Sequence, residues 1–107
     1  MVKELKNIQE FVDAVGDENT GLVIIDFFAD WCGPCKMIAP KYNKMETTYT
    51  TVGFYKINVD NKELEEVCQT CNIRSMPTFC FFKKGKYLTC MLGANDVQLE
   101  KLVKQYS

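Results

Sequence analysis

Two cysteines separated by two residues form the part of the sequence best suited to chemistry. They are Cys32 and Cys35, in the run Trp31-Cys32-Gly33-Pro34-Cys35. A Cys-x-x-Cys pair either exchanges disulfides or binds zinc. This pair follows a segment predicted as a buried strand and opens one predicted as a helix, and sites in open α/β sheets lie at the carboxyl ends of strands. The setting therefore favours dithiol–disulfide exchange.

The two thiols are predicted to have different roles. The first turn of a helix carries unpaired N–H groups and a positive dipole end, which would stabilise a Cys32 thiolate and lower its pKa. Cys35 lies one turn further along the same helix face and could resolve a mixed disulfide on Cys32. Gly33 permits a close approach of chain to helix, and Pro34 presets its own φ. We expect Cys32 to be the exposed attacking thiol and Cys35 the deeper resolving thiol.

Asp26 is an acidic residue within an apolar segment. In a strand, its side chain shares a face with Leu22 and Ile24, where desolvation raises the pKa of a carboxyl. Buried carboxyls of this kind are candidates for function, here proton exchange with Cys35 directly or through water. The alternative is a strand that ends early and leaves Asp26 in solvent, which the apolar residues 27–29 oppose.

Trp31 and Pro77 are two further candidates. Trp31 is predicted to be a flat apolar contact for incoming chains, with a core residue as the alternative. Pro77, in Met76-Pro77-Thr78, precedes an apolar strand, where proline removes no ladder hydrogen bond. A cis bond at Pro77 does not follow from these residues alone.

The elements that would position these residues alternate between strand and helix. Apolar spacing and capping residues predict a weak strand near 2–5, a helix from Asn7 to Gly16, a strand over 22–29, a helix over 34–50 kinked at Pro40, a strand over 54–59, a helical stripe over 64–71, a hairpin of strands 78–82 and 87–92, and a last helix capped by Asn95 or Asp96. The fold class is therefore α/β. It has a central mixed sheet of four to five strands with helices on both faces.

Length and composition place limits on function. The 107 residues indicate one domain over 1–107, and 47% apolar residues with a net charge of −1 are typical of a globular protein without a basic field for nucleic acid or membrane. The beginning of the sequence has no apolar region of a secretory signal, so we expect a reducing, cytoplasmic location. The absence of histidine removes many metal and acid–base options.

Four more cysteines leave a second interpretation open. Cys68 and Cys71 form another Cys-x-x-Cys, and two such pairs could make a four-thiolate zinc site, although the interval between the pairs exceeds the usual roughly 15–20 residues. Both lie on an apolar stripe, so we predict buried core thiols, with a secondary oxidation site as the alternative. Cys80 is predicted as core and Cys90 as partly exposed. A zinc-binding or non-catalytic interaction module thus stays the alternative to an oxidoreductase.

Together these residues resemble the thioredoxin family over essentially the whole chain. The resemblance rests on four features: the run Trp31-Cys32-Gly33-Pro34-Cys35-Lys36, the buried acid Asp26, the cis-proline segment Met76-Pro77-Thr78 and the glycine turn Gly93-Ala94. It implies a thioredoxin fold with four helices around the sheet. It also implies a protein-disulfide reductase with Gly33, Pro34 and Lys56 tuning the redox pair.

Further expectations come only from this resemblance. It implies a cis Pro77 facing the cysteines, a substrate-binding surface at Trp31, Met76, Pro77, Gly93 and Asp60, and Lys56 beside Asp26. It implies no bound cofactor, with NADPH used indirectly through thioredoxin reductase, and target disulfides in proteins such as peroxiredoxins. Ser75 stands where some members carry a cysteine, and a monomer is expected. The Gly-Pro spacer opposes an oxidase or isomerase of secretory compartments, since the family's oxidants usually carry histidine there.

Overall fold

A mixed sheet of five strands runs through the centre of the computed structural model, which describes residues 2–107. The strands are β1 (Lys3–Glu4), β2 (Leu22–Phe28), β3 (Gly53–Asn58), β4 (Thr78–Lys83) and β5 (Lys86–Leu92), in the order β1-β3-β2-β4-β5. β3 is parallel to β1 and β2, whereas β4 is antiparallel to β2 and β5. The predicted mixed sheet is confirmed, with β2 at its centre.

Four α-helices cover the two faces of the sheet within the described range. They are α1 (Ile8–Val15), α2 (Gly33–Thr48), α3 (Glu65–Thr70) and α4 (Asp96–Tyr106). Side chains of α2 and α4 pack on one face, and those of α1 and α3 on the other. No helix between residues 2 and 107 is long and apolar enough to cross a membrane. The predicted element order is confirmed, whereas the kink at Pro40 inside α2 stays a prediction.

The first helix begins at the predicted cap. The Asn7 side chain accepts a hydrogen bond from the Glu10 N–H at 2.9 Å, and the Glu10 carboxylate accepts one from the Lys6 N–H at 2.9 Å. In a capping box the second bond would come from the cap residue itself. Here the donor of the second bond is Lys6, one residue before the cap. The helix ends at the predicted Gly16, whose N–H donates to the Val12 carbonyl.

Burial on both sides of β2 determines where the core lies. Its side chains alternate between the two helix-covered faces, with Leu22 and Ile24 on one and Val23 and Ile25 on the other. All four are at most 1% exposed. A polar residue in this strand therefore cannot reach bulk solvent simply by pointing to the opposite face.

The final hairpin closes through a two-residue turn. Lys84 and Gly85 both have positive φ, 52° and 79°. Two successive left-handed residues are typical of the type I′ turn, whose twist matches that of paired strands. The Gly85 N–H also donates to the Val15 carbonyl at 2.8 Å, which attaches the turn to the end of α1.

Candidate active site

The cysteine pair lies just beyond the carboxyl end of β2. Cys32 is the N-cap residue of α2, and its Sγ accepts a hydrogen bond from the Cys35 N–H at 3.2 Å. The two sulfurs are joined in a disulfide, with 5.3 Å between the Cα atoms. The predicted position at a helix N-terminus is confirmed. When the disulfide is reduced, the same N–H and the helix dipole are available to stabilise a Cys32 thiolate.

The predicted difference in exposure between the two cysteines is wrong for this disulfide form. Cys32 is 5% exposed and Cys35 is 4% exposed. Both pack with Ala29 in one small cluster, and the half-buried Met76 covers it. The sulfurs differ in their neighbours instead, because only the Cys32 Sγ receives the N–H bond and lies 3.6 Å from the Met76 carbonyl oxygen.

Asp26 is buried in the middle of the sheet, as predicted. It is 3% exposed and lies opposite Lys56 on β3 and Phe79 on β4. None of the described residues forms a hydrogen bond with its Oδ1. Desolvation raises the pKa of Asp26 to about 7, and the Lys56 charge opposes part of that rise. The carboxyl can therefore gain or lose a proton near neutral pH.

A cleft of about 160 Å³ connects this carboxyl to the redox pair. Asp26, Lys56 and Cys35 all line it. One water molecule needs about 10–15 Å³ of such space, so the cleft has room for water, with Asp26 and Lys56 as polar partners. The Lys56 Nζ also lies 5.4 Å from the centre of the Phe28 ring, which holds the ammonium at this edge. The structure thus places Asp26 and Cys35, which the sequence singled out, and Lys56, which the family resemblance implied, around one cleft.

Trp31 is a surface residue, which rules out the core alternative. Its side chain is 68% exposed, and its indole N–H donates to the Asp60 carboxylate at 2.9 Å. The expected proximity of Asp60 to the indole is confirmed. This hydrogen bond holds a large apolar ring next to the disulfide while its faces stay open to solvent.

The proline loop faces the disulfide from the other side. The Met76–Pro77 peptide bond is cis, as the resemblance implied. The Pro77 carbonyl accepts a hydrogen bond from the Gly93 N–H at 2.9 Å, and Gly93 has a φ of +92° that favours glycine. The Thr78 hydroxyl donates to the Ser75 carbonyl at 2.7 Å. Met76, Pro77 and Gly93 therefore form one braced segment beside Cys32.

Val59 is a member of the site that sequence analysis missed. It packs against the cysteine cluster, and its N–H donates to the Phe28 carbonyl at 2.9 Å. This bond joins the chain leaving β3 to the end of β2. Its only sequence signal is its place directly after a strand that is parallel to β2.

The second cysteine pair lies in a different part of the molecule. Cys68 and Cys71 pack against the cluster beneath α1 and α3, and both are half-buried. The predicted packing on the core is confirmed, whereas the predicted burial is only partial. Cys80 is buried and Cys90 exposed, which confirms both predictions. Among residues 2–107, no three potential ligands of the His, Cys, Asp and Glu types gather into a metal site, so the two pairs form no joint zinc centre.

Disulfide exchange is the chemistry that this geometry can perform. A sulfur at a helix N-terminus can act as thiolate, a second sulfur is already within bonding reach, and a carboxyl that titrates near neutral pH shares a cleft with it. The fold and the site together define a thiol–disulfide oxidoreductase whose redox group is the Cys32–Cys35 pair.

Comparison with known proteins identifies the family. The thioredoxin family model matches residues 2–105, so the chain belongs to the thioredoxin family. A thioredoxin-like protein of Acanthamoeba polyphaga mimivirus is 52% identical over 106 residues, covering 99% of this chain and 77% of that protein. The solved structure of Plasmodium falciparum thioredoxin superposes with a TM-score of 0.91 at 45% identity, covering 99% and 100% of the two chains.

A further similar structure comes from work on the thiol-resolving mechanism of a yeast mitochondrial 1-Cys peroxiredoxin via glutathione and thioredoxin systems. Its TM-score is 0.88 at 35% identity, and the match covers 97% of this chain and 94% of that one. Proteins of this family are protein-disulfide oxidoreductases with a redox-active disulfide, and this chain has that disulfide in place.

Proposed function

We propose that the chain reduces disulfides in other proteins, with Cys32 attacking the target and Cys35 resolving the mixed disulfide. The observation that carries this proposal is the Cys32 Sγ at the N-cap of α2, hydrogen-bonded to the Cys35 N–H. That hydrogen bond favours negative charge on the Cys32 sulfur and not on the Cys35 sulfur.

In the first step, the Cys32 thiolate attacks one sulfur of a target disulfide. A bond forms between Cys32 and that sulfur, and the second target sulfur leaves as a thiolate that takes up a proton. Cys32 is nearly buried in the oxidised form, so the target chain must approach closely along the Met76 loop. The exposed Trp31 and the braced segment of Met76, Pro77 and Gly93 supply the walls for an extended chain, and Asp60 fixes the indole.

In the second step, Cys35 attacks Cys32 and releases the reduced target. The Cys35 thiol must first lose its proton, and Asp26 accepts it through the shared cleft. The products are the Cys32–Cys35 disulfide and the second target thiol, so two electrons pass to the target. Lys56 assists by stabilising ionised Asp26, and Gly33 and Pro34 hold the two cysteines in one turn.

The partners belong to the same proposal. A thioredoxin reductase would return the disulfide to the dithiol with electrons from NADPH, and peroxiredoxins are candidate targets. A reducing, cytoplasmic location is part of the same proposal, and it would keep Cys68, Cys71, Cys80 and Cys90 as free thiols. We also propose a monomer, which light scattering in the presence and absence of reductant can test.

Insulin reduction by dithiothreitol tests the reductase proposal. The chain should accelerate precipitation of reduced insulin, whereas Cys32→Ser should give the rate without protein. Cys35→Ser should instead accumulate a covalent adduct with insulin through Cys32, visible by non-reducing mass spectrometry. Cys90→Ser is the matched control, since Cys90 is an exposed thiol outside the site. Equal background rates for the unsubstituted chain and Cys32→Ser would overturn the proposal.

Replacing dithiothreitol by NADPH and a thioredoxin reductase tests the electron source. NADPH should be consumed continuously only when reductase, chain and insulin are all present, whereas reductase and the oxidised chain alone should consume about one equivalent. A redox potential near about −180 to −210 mV would contradict the reductase role and point to an oxidase or isomerase.

A further inference from the structure

Four free cysteines form a second set of thiols away from the active site. Cys80 on β4 is 0% exposed and is the direct cross-strand partner of Cys90 on β5. Cys68 and Cys71, at the end of α3, pack against the same buried cluster as Cys80. The redox pair belongs to a different cluster. The reductase mechanism uses none of these four thiols.

Two of these thiols are neighbours in the folded chain. The Cys71 side chain packs against the buried cluster that contains Cys80. The interaction between the two thiols lowers the pKa of Cys71 and raises the pKa of Cys80. Cys68, one helical turn earlier, has its pKa raised by burial. The Cys80 thiol therefore distinguishes Cys71 from Cys68, the nearest thiol in sequence.

Cys71 also has access to solvent that Cys80 lacks. It lines a cleft of about 440 Å³ between α1, the end of α3 and the hairpin turn. Phe11, Phe82 and Tyr87 supply apolar and aromatic walls. A small hydroperoxide can enter such a cleft and meet Cys71 first. Cys80 lies in the buried cluster against which Cys71 packs, and it is closed to solvent.

We propose that Cys71 and Cys80 are a second redox-active dithiol, oxidised by hydroperoxides to a disulfide that is independent of Cys32 and Cys35. The Cys71 thiolate attacks the terminal peroxide oxygen, forming an S–O bond while the O–O bond breaks and the alkoxide leaves to take up a proton. Cys80 then attacks the Cys71 sulfur, and the hydroxyl leaves with the Cys80 proton as water. Each hydroperoxide thereby removes two electrons from the pair.

Peptide mapping distinguishes this disulfide from the other pairings. Trypsin cleavage after Lys62, Arg74, Lys83, Lys86 and Lys101 separates peptide 63–74, which contains Cys68 and Cys71, from 75–83 with Cys80 and 87–101 with Cys90. The fully reduced chain is treated with one to two equivalents of hydrogen peroxide, alkylated with iodoacetamide and digested without reductant. We expect peptide 63–74 linked to 75–83, with the alkyl group on Cys68, and loss of the link after dithiothreitol.

Two serine variants on the same helix provide the comparison. Cys71→Ser should lower the yield of the linked peptides by at least about tenfold, because the attacking thiolate is gone. Cys68→Ser should keep it, and both should reduce insulin at the rate of the unsubstituted chain, which separates this proposal from the proposed reductase function. A Cys80–Cys90 or Cys68–Cys71 link as the main product, or an undiminished link to Cys80 in Cys71→Ser, would overturn the proposal.

Discussion

Asp26 shows how a single residue can cost stability and serve chemistry together. Its burial among apolar side chains, with one oxygen lacking a hydrogen-bond partner, disfavours the charged form. The same burial raises its pKa to about 7, where a carboxyl can both accept and return a proton. An exposed aspartate at this point would stay ionised through the physiological range and would be a weaker base for a thiol.

Asp26→Asn should slow the step in which Cys35 attacks the mixed disulfide on Cys32. Asparagine keeps the shape of the side chain and cannot accept the Cys35 proton. We expect kcat/KM for insulin reduction to fall by about a hundredfold at pH 7, the lower end of the range of general acid–base catalysis. The pH profile of the unsubstituted chain should show an inflection near pH 7 that the variant lacks.

Glu18→Gln is the control for charge, because it removes an exposed carboxylate far from the redox pair in sequence. Its pH profile should match that of the unsubstituted chain. An inflection near pH 7 that survives in Asp26→Asn would mean that another group supplies the base.

At the scale of elements, the site is assembled by segments that are far apart in the chain. The N-terminus of α2 supplies both cysteines, and the loop before β4 brings the Met76 carbonyl to Cys32. The Gly93 turn after β5 holds that loop through the Pro77 carbonyl. The two ends of the β4–β5 hairpin therefore both support the site. The hairpin itself depends on the turn at Lys84 and Gly85.

Gly85→Ala should destabilise the chain by about 1 kcal/mol, since alanine is strained at the φ of +79° that this turn requires. A Cβ there would meet no atom within 4 Å, so the effect isolates backbone conformation from crowding. Urea unfolding at constant pH measures it.

Gly21→Ala is the matched control for this turn. A Cβ at Gly21 also has open space, and its φ lies outside the left-handed region. Its unfolding free energy should be unchanged or slightly higher, because alanine restricts the unfolded chain. Equal losses in the two variants would contradict the role assigned to the Gly85 conformation.

At the scale of the whole molecule, the buried carboxyl makes stability depend on pH. The folded pKa of Asp26, about 7, exceeds the ordinary value of 3.8. Between these values the folded chain holds a proton that the unfolded chain has lost, so the free energy of unfolding falls as pH rises from about 4 to about 7. Below about pH 4, Asp26 no longer changes the free energy of unfolding with pH. Above about pH 7, the full destabilisation caused by burying Asp26 remains.

Asp26→Asn should remove this penalty. Its unfolding free energy should resemble that of the unsubstituted chain at pH 4 and exceed it at pH 8 by on the order of 4 kcal/mol, from a pKa shift of about three units. Urea unfolding of both proteins at pH 4, 6 and 8 measures the difference, with Glu18→Gln as reference. A difference that does not change with pH would show that Asp26 is ionised in the folded chain throughout.

Local patterns in the sequence were sufficient to predict most of the fold. Pro34 after a long apolar segment predicts the start of a helix. The apolar residues that share a strand face with Asp26 predict its burial. The apolar stripe over 64–71 correctly predicted which side of the segment packs on the core. It did not predict how the segment divides into helical elements. The structure divides it into a 3₁₀ turn at Lys62–Leu64, where the Asn61 side chain accepts a hydrogen bond from the Glu63 N–H, and the short helix α3.

Contacts between distant segments account for what the sequence did not predict. Cys32 was expected to be exposed, but its burial depends on Met76, which folding brings from 44 residues away. The proximity of Cys71 to Cys80 likewise depends on how the end of α3 packs on the cluster that contains β4. Neither contact leaves a periodic signal in the chain. The roles of Gly93 and Lys56 came from family resemblance, since no local pattern assigns them, whereas the place of Trp31 beside the cysteines predicted its apolar contact.

Trp31 is the single tryptophan of the chain, exposed, and fixed by Asp60 beside the redox pair. Excited indoles are quenched by a neighbouring disulfide through electron transfer. Tryptophan fluorescence, excited at the long-wavelength edge of protein absorbance, therefore comes from Trp31 alone. Its intensity should increase when Cys32 and Cys35 are reduced. Cys71 and Cys80 belong to a different buried cluster, so their oxidation should leave the emission nearly unchanged. One optical signal can thus follow the first redox pair in real time while chemical labelling counts the second.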